Sequence, residues 1–315
     1  MRYFYIEITE DDGQLIKKFS SLNPQGTFNP SAPMIEVDIQ RYGLSTPKGM
    51  SLLRVWGASI TDIRQATRNY ANKNISIRLG MSAGLPLANP KQAGIAIQGR
   101  IQQPFGNWQG TEQSIDFFIT AGYGSNSDPK NIVLEWKAGQ KMSVALFFSL
   151  QRAFPDRAIN VDIDDALVTN YDNSGFYSSL TQLAQQLNML SKSIINKPNY
   201  MGVEIATTPG EIRVWDGSKA KAPTQIEFVD LVGQPTWIES QKVSIKLVMR
   251  ADIQTGDYIR MPQGALSVTT ASSYAQYRDQ SSFSGDMMVT DVRMIGNSRQ
   301  PDGNSWATIL EAVPV

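Results

Sequence analysis

The sequence of 315 residues contains no histidine and no cysteine. Histidine is the usual general base near neutral pH and the commonest metal ligand, while cysteine supplies thiolate nucleophiles and soft metal ligands. Their absence excludes a Ser-His-Asp triad, a Cys-His pair and a structural zinc site. Carboxylate chemistry, lysine chemistry and oxygen-ligated metals remain. The composition therefore favours a binding or assembly protein, and we do not expect an enzyme.

Charged residues are also scarce. Asp, Glu, Lys and Arg make up 18% of the chain, and 29 basic residues balance 29 acidic ones. Globular domains usually carry about a quarter charged residues, and proteins that bind nucleic acid usually show a basic excess. Because few charges are available to cover the surface, part of that surface is expected to be buried against other molecules.

Long apolar runs are missing as well. The longest apolar cluster, Val144–Phe148, is far too short to cross a bilayer. The segment Met1–Ile8 alternates like a β-strand and lacks the apolar region of a signal peptide. We expect a soluble chain without membrane contact. The lack of cysteine fits a reducing compartment and an extracellular particle equally well.

The first 138 residues show mainly the two-residue alternation of β-strands. Strands are predicted at Ile35/Val37/Ile39, Leu53/Val55, Ile75/Ile77/Leu79, Ile95/Ile97/Ile101, Ile115/Phe117/Ile119 and Ile132/Leu134/Trp136. One helix is predicted at about residues 60–71, with Ser59 or Thr61 as its N-terminal cap. Many short strands separated by Gly, Pro and Asn turns, including one at Gly106-Asn107, are typical of a barrel or a sandwich.

Residues 139–198 change to helical periodicity. Lys141–Phe154 has a broad apolar face, which predicts a mostly buried helix that ends at Pro155. The alternation in Ile159–Ile163 predicts a single strand. Leucine or isoleucine then recurs every three or four residues over Leu180–Ile194, the clearest helical pattern in the chain.

Residues 199–315 return to strand alternation. Strands are predicted at Val203/Ile205, Ile212/Val214, Ile226/Phe228, Val243/Ile245/Leu247, Val289–Met294 and Ala307–Ala312. The polar run Ser267–Ser282 predicts a long loop, either a contact with a neighbouring component or a mobile segment. The predicted fold class is mainly β with α segments (α+β). Two β-domains, 1–138 and 199–315, flank a connecting helical/mixed segment, and their similar size is compatible with an old duplication.

Asp162, Asp164 and Asp165 form the densest carboxylate group. Such a group is a candidate for a calcium site or an acid/base pair. It lacks the Asp-x-Asp-x-Asp-Gly spacing of a calcium loop, which favours a capped turn at a strand end. The glycine-rich stretch Ala121–Ser125 lacks the third glycine and the following helix of a phosphate loop. We therefore assign no catalytic, cofactor-binding or metal-binding residue.

Three tryptophans are candidates for binding a partner. Trp108 lies between Gly106 and Gly110, where its ring could stack on a sugar or anchor a protein. The favoured interpretation is a local plug over the end of a barrel. Trp237 and Trp306 allow the same two interpretations.

Two stretches of sequence resemble a known family. The stretch Leu53–Gly57 (LRVWG) to Ile63, followed by Ile75–Pro86 (ISIRLGMSAGLP) and Gly94–Gly110 (GIAIQGRIQQPFGNWQG), resembles the first domain of baseplate hub proteins of contractile-tailed bacteriophages. Leu231–Trp237 through Leu247–Ile253 to Gly256–Ile259 is similar to the second tube-like domain of that family. The ending, Phe283–Gly285 through Val292-Arg293 and Gly296-Asn297 to Trp306, also fits.

The resemblance implies two tail-tube-like β-barrel domains in each chain of a homotrimeric hub. Such a ring adapts the sixfold symmetry of the tail tube to the threefold symmetry of the central spike. Implied partners are the tail tube protein, the central spike protein, other baseplate proteins and, as a further candidate, the tape measure protein. Genomic DNA would pass through the lumen without specific binding. The implied location is the virion, after synthesis in the host bacterial cytoplasm.

Two alternative functions are compatible with the same sequence. Another tail-tube-like component, such as a distal tail or tube-initiator protein, would need only one β-half, whereas this chain has two flanking a helical segment. A carbohydrate-binding or carbohydrate-cleaving tail protein would use an aromatic platform such as Trp108 and a carboxylate pair such as Asp162 and Asp164.

Overall fold

The structure, a computed structural model, describes residues 2–81, 89–121, 131–219, 221–239, 242–262 and 285–315. The protein is mainly β with α segments, as the alternation predicted. Within these ranges no helix is both long and apolar enough to cross a membrane. The predicted loop Ser267–Ser282 and nearly all of the glycine-rich stretch Ala121–Ser125 lie outside the described residues.

The first β-region follows the alternation closely. Ile6 and Ile8 are buried while their neighbours are partly exposed, and Ser59 caps the helix by accepting a hydrogen bond from the backbone N–H of Asp62 at 3.0 Å. The elements are β1 (Arg2–Thr9), β2 (Leu15–Ser20), β3 (Ile35–Arg41), β4 (Ser51–Trp56), α1 (Ile60–Tyr70), β5 (Asn74–Met81), β6 (Gly94–Gln109) and β7 (Glu112–Ala121). The turn predicted at Gly106-Asn107 is wrong, because both residues lie within β6.

The middle region, residues 132–215, contains both helices predicted within 139–198, together with strands from either side of that segment. Its elements are β8 (Ile132–Trp136), α2 (Met142–Ala153), β9 (Ala158–Asp162), β10 (Asn173–Tyr177), α3 (Leu180–Ile195), β11 (Glu204–Thr208) and β12 (Glu211–Trp215). Ser179 caps α3, and Asn196, in the left-handed conformation with φ 47°, ends it. Ile163, predicted to be part of the strand β9, lies just beyond its end.

The last β-region completes the chain. Its elements are β13 (Thr224–Gln225), β14 (Thr236–Glu239), β15 (Lys242–Val248), β16 (Tyr258–Arg260), β17 (Asp286–Asn297) and β18 (Trp306–Pro314). The strand predicted through Phe228 is wrong at that residue. Phe228 begins a short 3-10 helix, Phe228–Asp230, in which the Asp230 carboxylate accepts a hydrogen bond from the backbone N–H of Glu227.

The first and last β-regions share one large sheet. Its strand order is β14-β15-β18-β17-β3-β4-β7-β6-β5-β1-β2, with β13 and β16 attached beside β17. The two regions meet where β3 pairs antiparallel with β17, from Glu36 opposite Asn297 to Arg41 opposite Val292. Within the described residues this order is open at both ends, so two closed barrels stay a prediction.

Two large hydrophobic cores underlie this arrangement, and a third, small cluster contains Trp215, Tyr258 and Met288. One contains side chains from both β-regions, such as Ile6, Phe117 and Leu310, and the other is formed by the middle region around Trp136 and Leu187. The indole N–H of Trp306 donates to the carbonyl oxygen of Gly80 at 2.9 Å, which is a further link between the β-regions. The division of the chain at residues 138 and 198 stays a prediction.

Candidate assembly site

The carboxylates of the Asp162–Asp165 group each bond to a separate donor. Asp162 pairs with Lys221 at 2.5 Å, Asp165 pairs with Lys141 at 2.7 Å, and Asp164 accepts from the backbone N–H of Ala166. The hydrogen bond from Lys141 lowers the pKa of Asp165. In the described part of the chain, no group of three acidic residues is placed to hold a metal ion. The arrangement matches a capped turn at the end of β9.

The three tryptophans have three different environments. Trp108 lies near the tip of the β6–β7 hairpin and is 59% exposed, and its indole N–H donates to the carbonyl oxygen of Gly110 at 2.8 Å. It therefore does not plug the interior, contrary to the favoured prediction. Trp306 is buried in the shared core, and Trp237 is part-exposed on β14.

Two buried arginines hold the last β-region in place. Arg41, 7% exposed at the end of β3, donates from Nε to the carbonyl oxygen of Ala96 at 2.7 Å and from a terminal nitrogen to that of Ile253 at 3.1 Å. Burial lowers the pKa of Arg41 to about 10. Arg250 pairs with Asp230 at 3.1 Å and with Asp252 at 2.6 Å. Because Asp230 ends the short 3-10 helix, this pair fixes where that helix lies on the sheet.

A groove of about 720 Å³ separates the shared sheet from the middle region. Lys48 and Lys242 line it, and each bonds to Asp291 and Glu311 at 2.5 to 3.1 Å. Burial would raise the pKa of Glu311, but the hydrogen bonds from the two lysines outweigh it and lower this pKa to about 2. The charges of these two lysines and two carboxylates compensate one another.

Helix α2 is less buried than its composition predicts. Met142, Ala145, Leu146 and Leu150 face the second core, whereas the opposite face exposes three large apolar side chains. These are Val144, Phe147 and Phe148, the last of them 62% exposed. The sequence predicted a mostly buried helix, and that prediction is wrong for the single chain. Exposed apolar faces of this kind are typical of protein–protein contacts.

A second apolar surface lies at one end of the shared sheet. We call it the apolar edge and define it as residues 228–239, which run along the outer side of β15. Val232 donates to the carbonyl oxygen of Lys246 at 2.8 Å, and Trp237 lies opposite Val243. Phe228, Val229 and Ile238 are exposed, the first two by 58% each. Exposed sheet edges are sites where another strand can pair.

Solved structures of tail proteins share this architecture over almost the whole length of the chain. The 43 kDa tail protein of prophage MuSo2 from Shewanella oneidensis matches with a TM-score of 0.54 and 9% identity, covering 100% of this chain and 97% of that one. The tail protein from Neisseria meningitidis MC58 matches with a TM-score of 0.52 and 10% identity, covering 99% and 96%. The chain has a phage tail-protein fold.

The likeness is one of fold, since the identities are low. No family model matches the sequence, and no curated protein matches it either. The apolar edge is the surface that the sequence did not predict. Leu231–Trp237 entered the sequence analysis only as part of a family resemblance, and the alternation predicted a strand through Phe228. The signal in the sequence was the absence of any Lys or Arg from Glu227 to Glu239, together with six large apolar residues in that stretch: Phe228, Val229, Leu231, Val232, Trp237 and Ile238.

Proposed function

We propose that the chain is a structural baseplate hub protein of a contractile phage tail. In this role three copies form a ring that joins the hexameric tail tube to the central spike. The observation that carries the proposal is the fold, which matches tail proteins over nearly the full length of both chains. Each chain has two β-regions. Three copies therefore present six β-regions, which matches the sixfold symmetry of the tube.

The proposed mechanism is mechanical. The ring holds a channel open for DNA and transmits the trigger for release from the spike to the tube. Basic side chains in the channel would retain phosphates through counterion release, so the lumen should lack strong positive charge. The equal numbers of acidic and basic residues support this. The proposed partners are the tube, spike and other baseplate proteins, with the tape measure protein as a further candidate, and the proposed location is the virion.

Exposed apolar surfaces support an assembly role for the single chain. The outer face of α2 and the apolar edge both leave large side chains in solvent. Monomeric proteins rarely expose contiguous apolar patches of this kind. In a ring, each subunit contacts the next one head to tail, and the rotation from one subunit to the next returns to the first. Such contacts cover two different surfaces of each subunit.

Electron microscopy of the purified assembly tests the proposal. The chain is expressed alone and together with its candidate spike and tube proteins, and class averages along the channel axis are compared. A ring of three subunits with a central opening, bound to the spike on one side, is the expected result. A sixfold ring of this chain would instead indicate a tube or tube-initiator protein. A monomer that binds neither partner would refute the hub.

A further inference from the structure

The main strand order of the shared sheet has two free edges on one chain, apart from the short branch that β16 and β13 form beside β17. The strand order begins at β14 and ends at β2, and in the described ranges no further strand pairs with the outer side of either. Alternate residues of an edge strand direct their N–H and C=O groups away from the sheet. Proteins usually protect such edges, because they pair readily with other strands.

The apolar edge is acidic as well as apolar. Glu227 directly precedes it and Glu239 is its last residue, and no Lys or Arg occurs between them. Asp230 is buried and paired with Arg250, so it adds no charge to the surface. All four residues of β14 are exposed. This edge therefore offers backbone groups, apolar side chains and negative charge together.

The opposite edge, which we call the basic edge, is strand β2 (Leu15–Ser20). It carries Lys17 and Lys18 and no acidic residue. Lys17 pairs with Asp62 at 3.1 Å, which compensates its charge, so Lys18 carries the positive charge of this edge. The Lys18 ammonium lies 4.6 Å from the centre of the Tyr5 ring. Both lysines are thus held near the edge by their own chain. Leu15, 51% exposed, adds apolar surface at the start of this strand.

We propose that the basic edge of one copy pairs with the apolar edge of the next copy, so that the shared sheets join head to tail around the ring. The proposal rests on the homotrimer of the proposed function and names its contact. A contact between one edge of a copy and a different edge of the next copy is heterologous. Such contacts generate a closed ring when the rotation between successive copies returns to the first copy. Pairing would satisfy the outward backbone groups of both strands.

A second copy fits these edges better than an unrelated protein does. The strands are similarly short, with six residues in β2 and four in β14. Their charges are opposite, which steers association and disfavours pairing of either edge with itself. Both edges also belong to the same sheet, so a ring built this way continues one hydrogen-bonded ladder through all copies.

Engineered cysteines test the contact directly, because the natural chain has none. The variant carrying Lys18→Cys and Glu239→Cys should form a disulfide-linked ladder up to the trimer on a non-reducing gel after mild oxidation. The control carries Lys18→Cys with Glu135→Cys, an exposed glutamate on β8 of the middle region, and should stay unlinked. A wild-type trimer without cross-linking of the edge pair would overturn the contact and leave the hub intact, whereas a wild-type monomer would overturn both.

Charge reversal gives a second readout that does not depend on cysteine geometry. Lys18→Glu or Glu239→Lys alone should weaken trimer formation roughly tenfold in dissociation constant, since like charges then face each other across the contact. The double variant carrying both reversals should recover wild-type association. Circular dichroism confirms that each variant is folded. Equal association of all four proteins, or capture of a different tail protein by the apolar edge in place of a second copy, would overturn the proposal.

Discussion

Arg41, in the first β-region, donates a hydrogen bond of 3.1 Å to the carbonyl oxygen of Ile253 in the last β-region, 212 residues further along the chain. The same guanidinium donates to the carbonyl oxygens of Ile95 and Ala96. One buried cation therefore connects β3, the start of β6 and the loop before β16. It lies beside the β3–β17 pairing that makes the two β-regions a single sheet.

Replacing Arg41 with methionine should destabilise the whole sheet. The substitution leaves the buried carbonyl oxygens of Ile95, Ala96 and Ile253 without their donor, and a buried unpaired polar group costs about 1–3 kcal/mol. We expect Arg41→Met to lower the free energy of unfolding by about 2–4 kcal/mol, measured by urea denaturation. The matched control is Arg293→Met on β17, whose exposed pair with Asp38 should contribute about 1 kcal/mol or less. Equal losses in the two variants would contradict this role for Arg41.

Gly296 and Trp306 pack too closely for any side chain at residue 296. They face each other across β17 and β18, and a Cβ atom on Gly296 would lie 2.4 Å from the Trp306 ring. We expect Gly296→Ala to cost about 1–3 kcal/mol, because overpacking forces a buried ring to move. Gly303→Ala, where a Cβ atom would have open space, serves as the control and should change the melting temperature little. A Gly296→Ala protein with the same melting temperature as the wild type would contradict the close packing.

The Glu204 carboxylate connects the two cores and is sensitive to pH. It accepts hydrogen bonds from Ser45 and, at 2.9 Å, from Asn188, but burial raises its pKa above the ordinary value of 4.5. The folded state therefore disfavours the ionised form, and wild-type stability should rise as pH falls through the raised pKa towards 4.5. We expect Glu204→Gln to be more stable than wild type at pH 8, with the difference disappearing near pH 4. A Gln variant that is less stable at pH 8 would contradict this.

The outer face of α2 should matter for assembly and not for folding. Phe148→Ser removes a mostly exposed ring, so the free energy of unfolding should change by about 0.5 kcal/mol or less. Leu146→Ala, two residues away and fully buried, should cost about 2–5 kcal/mol. Complex formation with candidate tail partners, monitored by size-exclusion chromatography, should be weaker for Phe148→Ser than for the wild type. Unchanged assembly with every partner would show that this face stays in solvent.

Local pattern predicted most of the individual elements. Alternation identified β3, β4, β5, β7, β15 and β18, and leucine spacing identified α3, because in these elements one face is buried and the other is not. Strands β2 and β10 were missed because their side chains are only partly buried and leave a weak pattern. The pairing of β3 with β17 could not be predicted, since it joins residues more than 250 positions apart.

The candidate assembly site was harder to predict than the fold. The exposure of Phe148 and Phe228 depends on which neighbours the tertiary structure places against them, and their sequence context is that of core residues. Asp162 and Asp165 were candidates for a metal or acid/base site because carboxylates are dense in that part of the sequence. The lysines that neutralise them come from distant positions in the chain. The composition of residues 228–239 can be read from the sequence, but only the strand order shows that they form an edge of the sheet.

The solution mass of the purified chain, measured by light scattering coupled to size exclusion, tests the central claim most directly. The hub predicts three times the 34.9 kDa of one chain, either for the chain alone or after the candidate spike protein is added. A stable monomer at all concentrations that ignores the spike would contradict the account.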